Sequence, residues 1–464
     1  MYFPAMAEKG LQKPFETTGI FWLPERVDHR LPGHLKHSTA EFPQVTLVGS
    51  LTSRPFSDFP VIHGVLDDAP CTLFDCQIRS SRGSASGIVQ TVIDASLLLV
   101  GEHVSSMDDA QFEGLRVRFD GLDEWVDFRA ISIDADDWLK PGGPSKFDLQ
   151  SHDPVVIDLN EAGVSVKLVG RHNGEFGNRY IDWAYHSFFD VDSSQPLRIQ
   201  ALCDVSVELQ SLLALLTWHR TSISYLSIYR SVPTESRHPD GKAWSGLYGN
   251  WSANVEGRSF RSLTNYDDVG SALPQVISSW FSSPPAVKIA RRLITSIIQA
   301  EGLVLDFGFL TLMQAAEALH RALDPNNYTS ETEYQAIEKS LIAAIPASVT
   351  AEHRASLKSR IKYANELSLR TRLKALFQAL PEGMRGQISS NWKEMVGKAV
   401  NVRNDLTHPN TAGTNVKLDA NQMWQLFQQM KLLLTIVLLN NLGMAYDQME
   451  IIAKNQDWRS RVSG

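Results

Sequence analysis

The 464-residue chain is 43% hydrophobic and 21% charged, the balance of a soluble globular protein, which excludes a disordered chain, and its length calls for two or three domains. Three cysteines, Cys71, Cys76 and Cys203, are too few for a disulfide framework and point to a reducing compartment; Cys71 and Cys76 lack a second pair, so neither a zinc site nor another metal or cofactor is expected. The net charge of -8 is uneven: residues 271–464 carry 21 Lys/Arg against 16 Asp/Glu, and the remainder 23 against 36, so a polyanion would meet the C-terminal part.

Residues 1–10 have no apolar h-region and do not read as a signal peptide. The apolar run at 432–439 is too short to span a bilayer. A cytoplasmic protein without membrane contact is expected. Residues 1–200 read as β-rich. "LRVRFD" alternates Leu115, Val117 and Phe119, and "VSVKLVG" alternates Val164, Val166 and Leu168, the period of a half-buried strand. Shorter runs at 44–50 and 71–78 are separated by turn formers, and 140–146 reads as a loop. A sandwich or open barrel follows from that pattern. The stretch 201–280 reads as a mixed helical and irregular connecting region.

From Pro284 and Pro285 onward the pattern is helical, so 281–464 is expected to be an all-α bundle and the whole chain α+β. Phe309, Leu312, Met313, Ala316, Leu319, His320 and Leu323 form one stripe at helical spacing. Met423, Leu426, Phe427, Met430, Leu433, Leu434, Val437 and Leu438 form a wider one, which places the last long helix in a bundle core or an oligomer interface. Asp419 and Gln422 are spaced to cap its start.

Between these helices Trp392, Met395, Val396, Ala399, Val402 and Leu406 fall on one stripe, and Arg403 shares it. An arginine on the packed side of a helix is costly to desolvate unless it meets an anion. Pro409 disfavours α geometry at His408, so the helix should end there. An ideal helix turns His408 about 140° from Arg403, and fraying at Thr407–His408 would bring the imidazole back. Arginine with a histidine titratable near neutrality is a minimal kit for cutting RNA without metal. The imidazole takes the ribose 2′-OH proton and the guanidinium holds the charged transition state. One histidine cannot easily serve as both base and acid, whereas two copies facing each other across a dimer can. Looser spacings also match at Arg30–His37 and Arg179–His186. On spacing alone, a salt-bridged arginine beside a helix-terminal histidine is the better account of Arg403 and His408.

"RNDLTH" (403–408), at a helix end within an all-helical segment, resembles the R-x(4–6)-H signature of HEPN ribonucleases, and Asn404 matches the polar residue often found after the family's arginine. "LMQAAEALHRAL" (312–323) and "NELSLRTRLKALF" (365–377) look like other HEPN helices. With "TGIFWLPE" (18–25), "LPGHL" (31–35), "CTLFDC" (71–76) and "GLDEWV" (121–126), the chain resembles the ApeA family of anti-phage HEPN proteins. The resemblance implies a β-rich N-terminal sensor over 1–200 and a HEPN domain over 281–464. It implies a metal-independent endoribonuclease of abortive infection that leaves 2′,3′-cyclic phosphate and 5′-OH ends. Arg403 and His408 would be its catalytic pair and Asn404 a supporting group. A homodimer or higher homo-oligomer, an RNA substrate and a phage-derived trigger at the N-terminal domain would be its partners. The alternative is a non-catalytic HEPN bundle used for dimerisation or nucleotide binding.

Residues 351–374 carry seven Lys/Arg and two acids, and Arg370 and Arg372 are the candidates to track an RNA backbone; a solvated helix face explains the others. Glu317 and His320, three apart, are candidates to join the cleft, with a satisfied core histidine the default for His320.

Overall fold

The computed structural model describes residues 14–38, 40–52, 57–83, 89–128, 131–133, 147–159, 163–176, 181–232, 241–251, 262–408 and 418–454. The loop expected at 140–146, Arg179 and Pro409 lie outside the described residues, as do residues 1–10. The chain divides into two compact units, 1–281 and 282–464.

In the first unit, β1 (Phe15–Trp22), β2 (Leu31–His37), β3 (Gln44–Val48), β4 (Asp58–Leu66), β5 (Ala69–Gly83) and β6 (Val89–Asp94) pair antiparallel in the order β5-β4-β1-β2-β3-β6. The last strand, β6, returns to β5, which closes a six-stranded barrel. Its interior follows from strand alternation: Phe21, Leu35, Val45, Leu47, Ile62, Leu73 and Ile93 are buried together. Phe21 occupies space left by a glycine on the neighbouring strand, since a Cβ on Gly64 would come within 2.6 Å of its ring. The β4–β5 turn has Asp67 and Asp68 both at positive φ, the backbone that suits the twist of a two-residue hairpin.

The sheet does not stop at the barrel. β7 (Leu97–Val100), β8 (Gln111–Phe119), β11 (Val155–Leu159), β12 (Val164–Phe176), β13 (Ile181–Arg198), β14 (Ile223–Ser231) and β15 (Lys242–Gly249) extend it in the order β5-β7-β15-β14-β8-β13-β12-β11, while β9 (Ile131–Ile133) and β10 (Phe147–Leu149) form a separate pair. The physical cause is the length of β5. Cys71–Phe74 pairs with β7, and Gln77–Gly83 pairs with β6. One strand thus belongs to both a closed barrel and an open sheet, so of the sandwich or open barrel expected it is a barrel that forms, closed and continued into further strands.

The helices of this unit are α1 (Leu122–Val126), α2 (Ile199–Thr217), α3 (Tyr266–Val269) and α4 (Leu273–Ser282). The stretch 201–280, read from sequence as a connecting region, supplies most of α2 and two strands placed inside the sheet. The reason is non-local: β14 and β15 find their partners, β8 and β7, more than a hundred residues upstream. Among the described residues α2 alone is long and apolar enough to cross a bilayer. Half of its apolar window is buried in the fold, where it packs on β8 and β13 as a core helix.

The second unit is helical: α5 (Pro285–Gln299), α6 (Leu305–Leu323), α7 (Glu331–Ala343), α8 (Ala351–Lys362), α9 (Leu369–Gln378), α10 (Glu382–Ile388), α11 (Trp392–Thr407), α12 (Ala420–Asn441) and α13 (Tyr446–Lys454). Four helices (α5, α9, α11 and α12) pack on α6. Phe309, Leu312, Met313, Ala316 and Leu319 on α6 are buried, whereas Leu323 is largely exposed. On α12 every residue from Met430 to Leu439 is buried, so its wide apolar surface is accounted for within one chain. Asp419 and Gln422 form the reciprocal cap expected at its start, each side chain accepting from the other's backbone N–H. Helices α7 and α8 make a hairpin, and α8 buries none of its residues.

Candidate active site

The opening turn of α11 is set by Asn391, whose side chain accepts from the Glu394 N–H. Met395, Val396, Ala399 and Val402 turn to the core. The polar residues Glu394, Lys398, Asn401, Asn404 and Asp405 recur at three- and four-residue spacing on the other side, none of them buried. The helix ends at His408, which leaves helical geometry at φ −135°, ψ 74° while its N–H still donates to the Asn404 carbonyl at 2.8 Å.

Arg403 sits at the end of the buried stripe and is half-buried; Asn404 and His408 are exposed. The Arg403 guanidinium does not stay on its own side of the helix. Its Nη1 donates to Asn404 Oδ1 at 3.2 Å, and Asn404 shares a face with His408, four residues on. Among the described residues no carboxylate pairs with Arg403 or with His408, so an incoming anion has no internal competitor to displace. Thr407 donates to the carbonyls of Arg403 and Asn404 and satisfies acceptors of the last turn.

The two arginines expected to track RNA have different surroundings. Arg370 is exposed and lies across α11: its Nη2 donates to Asn401 Oδ1 at 3.3 Å, and its Nη1 is 3.3 Å from where a Cβ on Gly397 would stand. Arg372 is only 2% exposed. Its Nε donates to the Leu367 carbonyl at 3.0 Å and its Nη1 to His320 Nδ1 at 3.2 Å. Arg372 is thus a structural arginine and not an RNA contact. The cause is its place on α9, three residues after Leu369 and four before Leu376, beside Leu373 on the stripe that faces the core, so the fold encloses it.

His320 is the satisfied core histidine. It is buried beside Arg372, and desolvation first, then the Arg372 charge, lower its pKa against a smaller opposing pull from Asp324. Because Nδ1 accepts from Arg372, the ring is neutral with its proton on Nε2. Burial likewise lowers the Arg372 pKa, followed by the Arg321 charge. Glu317 faces outward and pairs with Arg321 at 3.0 Å; Arg321 also meets Glu366. On α8, Lys358, Arg360 and Lys362 are exposed, while Arg354 donates to the carbonyls of Ile345 and Pro346.

The looser Arg30–His37 pair does not assemble, and the partner of His186 in the other, Arg179, lies outside the described residues. His37 is buried inside the barrel against Phe15 and Tyr248, while the Arg30 guanidinium lies 4.5 Å over the Trp22 ring. His186 is engaged by Asp123 at 3.0 Å.

Residues 16–280, more than half of the chain, match ApeA N-terminal domain 1. The chain belongs to the ApeA family. Its α5–α13 unit holds the second match, Apea-like HEPN, over residues 310–448, a range that contains Arg370, Arg403, Asn404 and His408. No curated protein and no solved structure gives a significant match. ApeA-like architecture is that of a HEPN-type anti-phage effector, and HEPN domains are typically ribonuclease domains that commonly dimerise.

Sequence inspection did not single out Asn401 and Gly397. The available signal was their spacing: both precede Asn404 by three and seven residues on the same helical face.

Proposed function

We propose that this ApeA-family chain is a metal-independent endoribonuclease of anti-phage abortive infection, cytoplasmic, acting as a homodimer on RNA and regulated by its N-terminal unit. The observation that carries the reading is the end of α11, where Arg403 is held on Asn404 and an exposed His408 closes the helix.

His408 takes the proton from a ribose 2′-OH as the 2′ oxygen attacks the adjacent phosphorus. The bond from phosphorus to the 5′ oxygen breaks, and a second imidazolium, His408 of another copy, gives its proton to that leaving oxygen. Arg403 holds the negative charge that grows on the non-bridging oxygens, a role for a guanidinium that no carboxylate among the described residues neutralises. Asn404 orients that guanidinium. The products carry a 2′,3′-cyclic phosphate and a 5′-OH. A nuclease that attacks its host's RNA must be silent until triggered, which gives the acidic first unit a restraining and sensing role toward a phage-derived trigger.

The test compares wild type with His408→Ala on total RNA from infected cells, with EDTA present during the assay and folding and oligomeric size checked beforehand. Cyclic-phosphate ends are expected from wild type and none from the variant. Equal cleavage by both would return Arg403 and His408 to the role of a helix terminus.

A further inference from the structure

The polar face of α11 does not begin at Arg403. At its other end, where α11 starts beside the first turns of α12, lies a groove of about 250 Å³. Its accessible lining is mostly polar, carrying the amides of Asn391, Gln425 and Gln429, with the nearly buried Met395 and Leu426 at its base. Among the described residues the charged groups on it, Glu394 and Lys398, are paired at 2.9 Å, so the described lining is neutral. Such a lining gains little from a phosphate and suits a flat, uncharged, hydrogen-bonding group. The volume is below that of a drug-sized site, about 300–1,000 Å³, and matches a single ring system.

The amides differ in how much they are already used. Asn391 is spent on the Glu394 cap, and Gln429 Nε2 donates to the Ile388 carbonyl at 3.2 Å. The side-chain amide of Gln425 is exposed and has no partner among the described residues. It offers a donor and an acceptor side by side, the pair an amide presents to the edge of adenine.

Placement along one helix links this groove to the proposed chemistry. Lys398 at its margin is ten residues, roughly 15 Å, from His408. Beside Lys398, Arg370 crosses the helix over Gly397 and Asn401. We infer that the groove is a base-reading subsite. An unpaired base of the RNA, adenine first, seats on Met395 and Leu426 against Gln425, Arg370 holds the backbone phosphate that follows, and the strand runs on to Arg403 and His408. The inference rests on the ribonuclease reading of that site and adds to it a basis for choosing where a strand is cut.

The test separates the two. Full-length His408→Ala is titrated with oligo(A), oligo(C) and oligo(U) of equal length, and the titration is repeated with Gln425→Ala added, a change at an exposed position. Oligo(A) is expected to bind about tenfold more tightly than the others, and Gln425→Ala to bring it to their level while leaving them unchanged. Equal affinities for the three in the His408→Ala chain, or a preference that survives Gln425→Ala, overturns the inference whether or not wild type cleaves. Base discrimination in a protein whose wild type cuts no RNA in infected cells would leave the groove standing and remove the nuclease.

Discussion

Inside the helical unit Arg372 gives two hydrogen bonds, one to the part-buried Leu367 carbonyl and one to the buried His320 Nδ1. Arg372→Ala strands both acceptors and leaves a void, and should lower stability by roughly 2–3 kcal/mol in denaturant titration. Arg370→Ala, two positions away, should change stability by less than about 0.5 kcal/mol while weakening RNA binding. A second residue-scale test lies in the barrel. His37 is 1% exposed, with neither ring nitrogen bonded, and burial lowers its pKa to about 4 from 6.5. Above pH 6.5 the ring is neutral in both states and adds no pH dependence. As pH falls from 6.5 toward 4, the unfolded chain takes up a proton that the folded barrel refuses, so stability is lost over that window, by about 3 kcal/mol in all. His37→Leu should flatten this part of the pH dependence in thermal melts of the first unit. His320, also lowered by burial, adds a loss of the same sign in the helical unit.

Helix α11 serves the site through a missing side chain as much as through those present. Gly397 lets the Arg370 guanidinium lie flat on the helix and reach Asn401. Gly397→Ala should be tolerated and should stabilise the helix by up to about 1 kcal/mol, because the neighbour at 3.3 Å is the far end of a flexible chain. Gly397→Leu should lift the guanidinium away and reproduce the RNA-binding loss of Arg370→Ala with the fold intact, which fluorescence titration and circular dichroism together would read. At this scale the sequence is most legible where causes are local. The α12 stripe and the Asp419–Gln422 cap stand three and four residues apart, and the structure contains both. The α11 stripe likewise marked where Arg403 sits. The same rule applied to α9 would have marked Arg372, which shares its stripe with Leu369, Leu373 and Leu376; only the basic character of the segment argued otherwise. The groove beside Gln425 was not legible, because it depends on how α12 crosses α11, a relation that no spacing within either helix contains. Closure of the barrel was hidden for a similar reason: β5 pairs with β6 and β7 at different points of its length, and alternation is identical for either partner.

For the whole molecule, the proposed chemistry needs two histidines and each chain brings one. Mixing wild type with an excess of folded His408→Ala, under conditions that exchange subunits, should therefore depress activity more steeply than dilution alone. Mixed dimers keep a base or an acid but not both. Activity that falls only in proportion to the wild-type fraction would mean that one chain suffices.

The order of strands in the sheet also sets an order in time. β7 and β8 are near neighbours in sequence, yet β14 and β15 lie between them in the sheet and are synthesised more than a hundred residues later. At about 5–20 residues per second, a nascent chain carries those open strand edges for roughly ten seconds, the interval in which it is most exposed to mispairing. Once β15 is in place the sheet is complete, and all of α5–α13 has still to leave the ribosome. On the proposed reading, a cell making this protein thus finishes the restraining unit before it has made the ribonuclease unit.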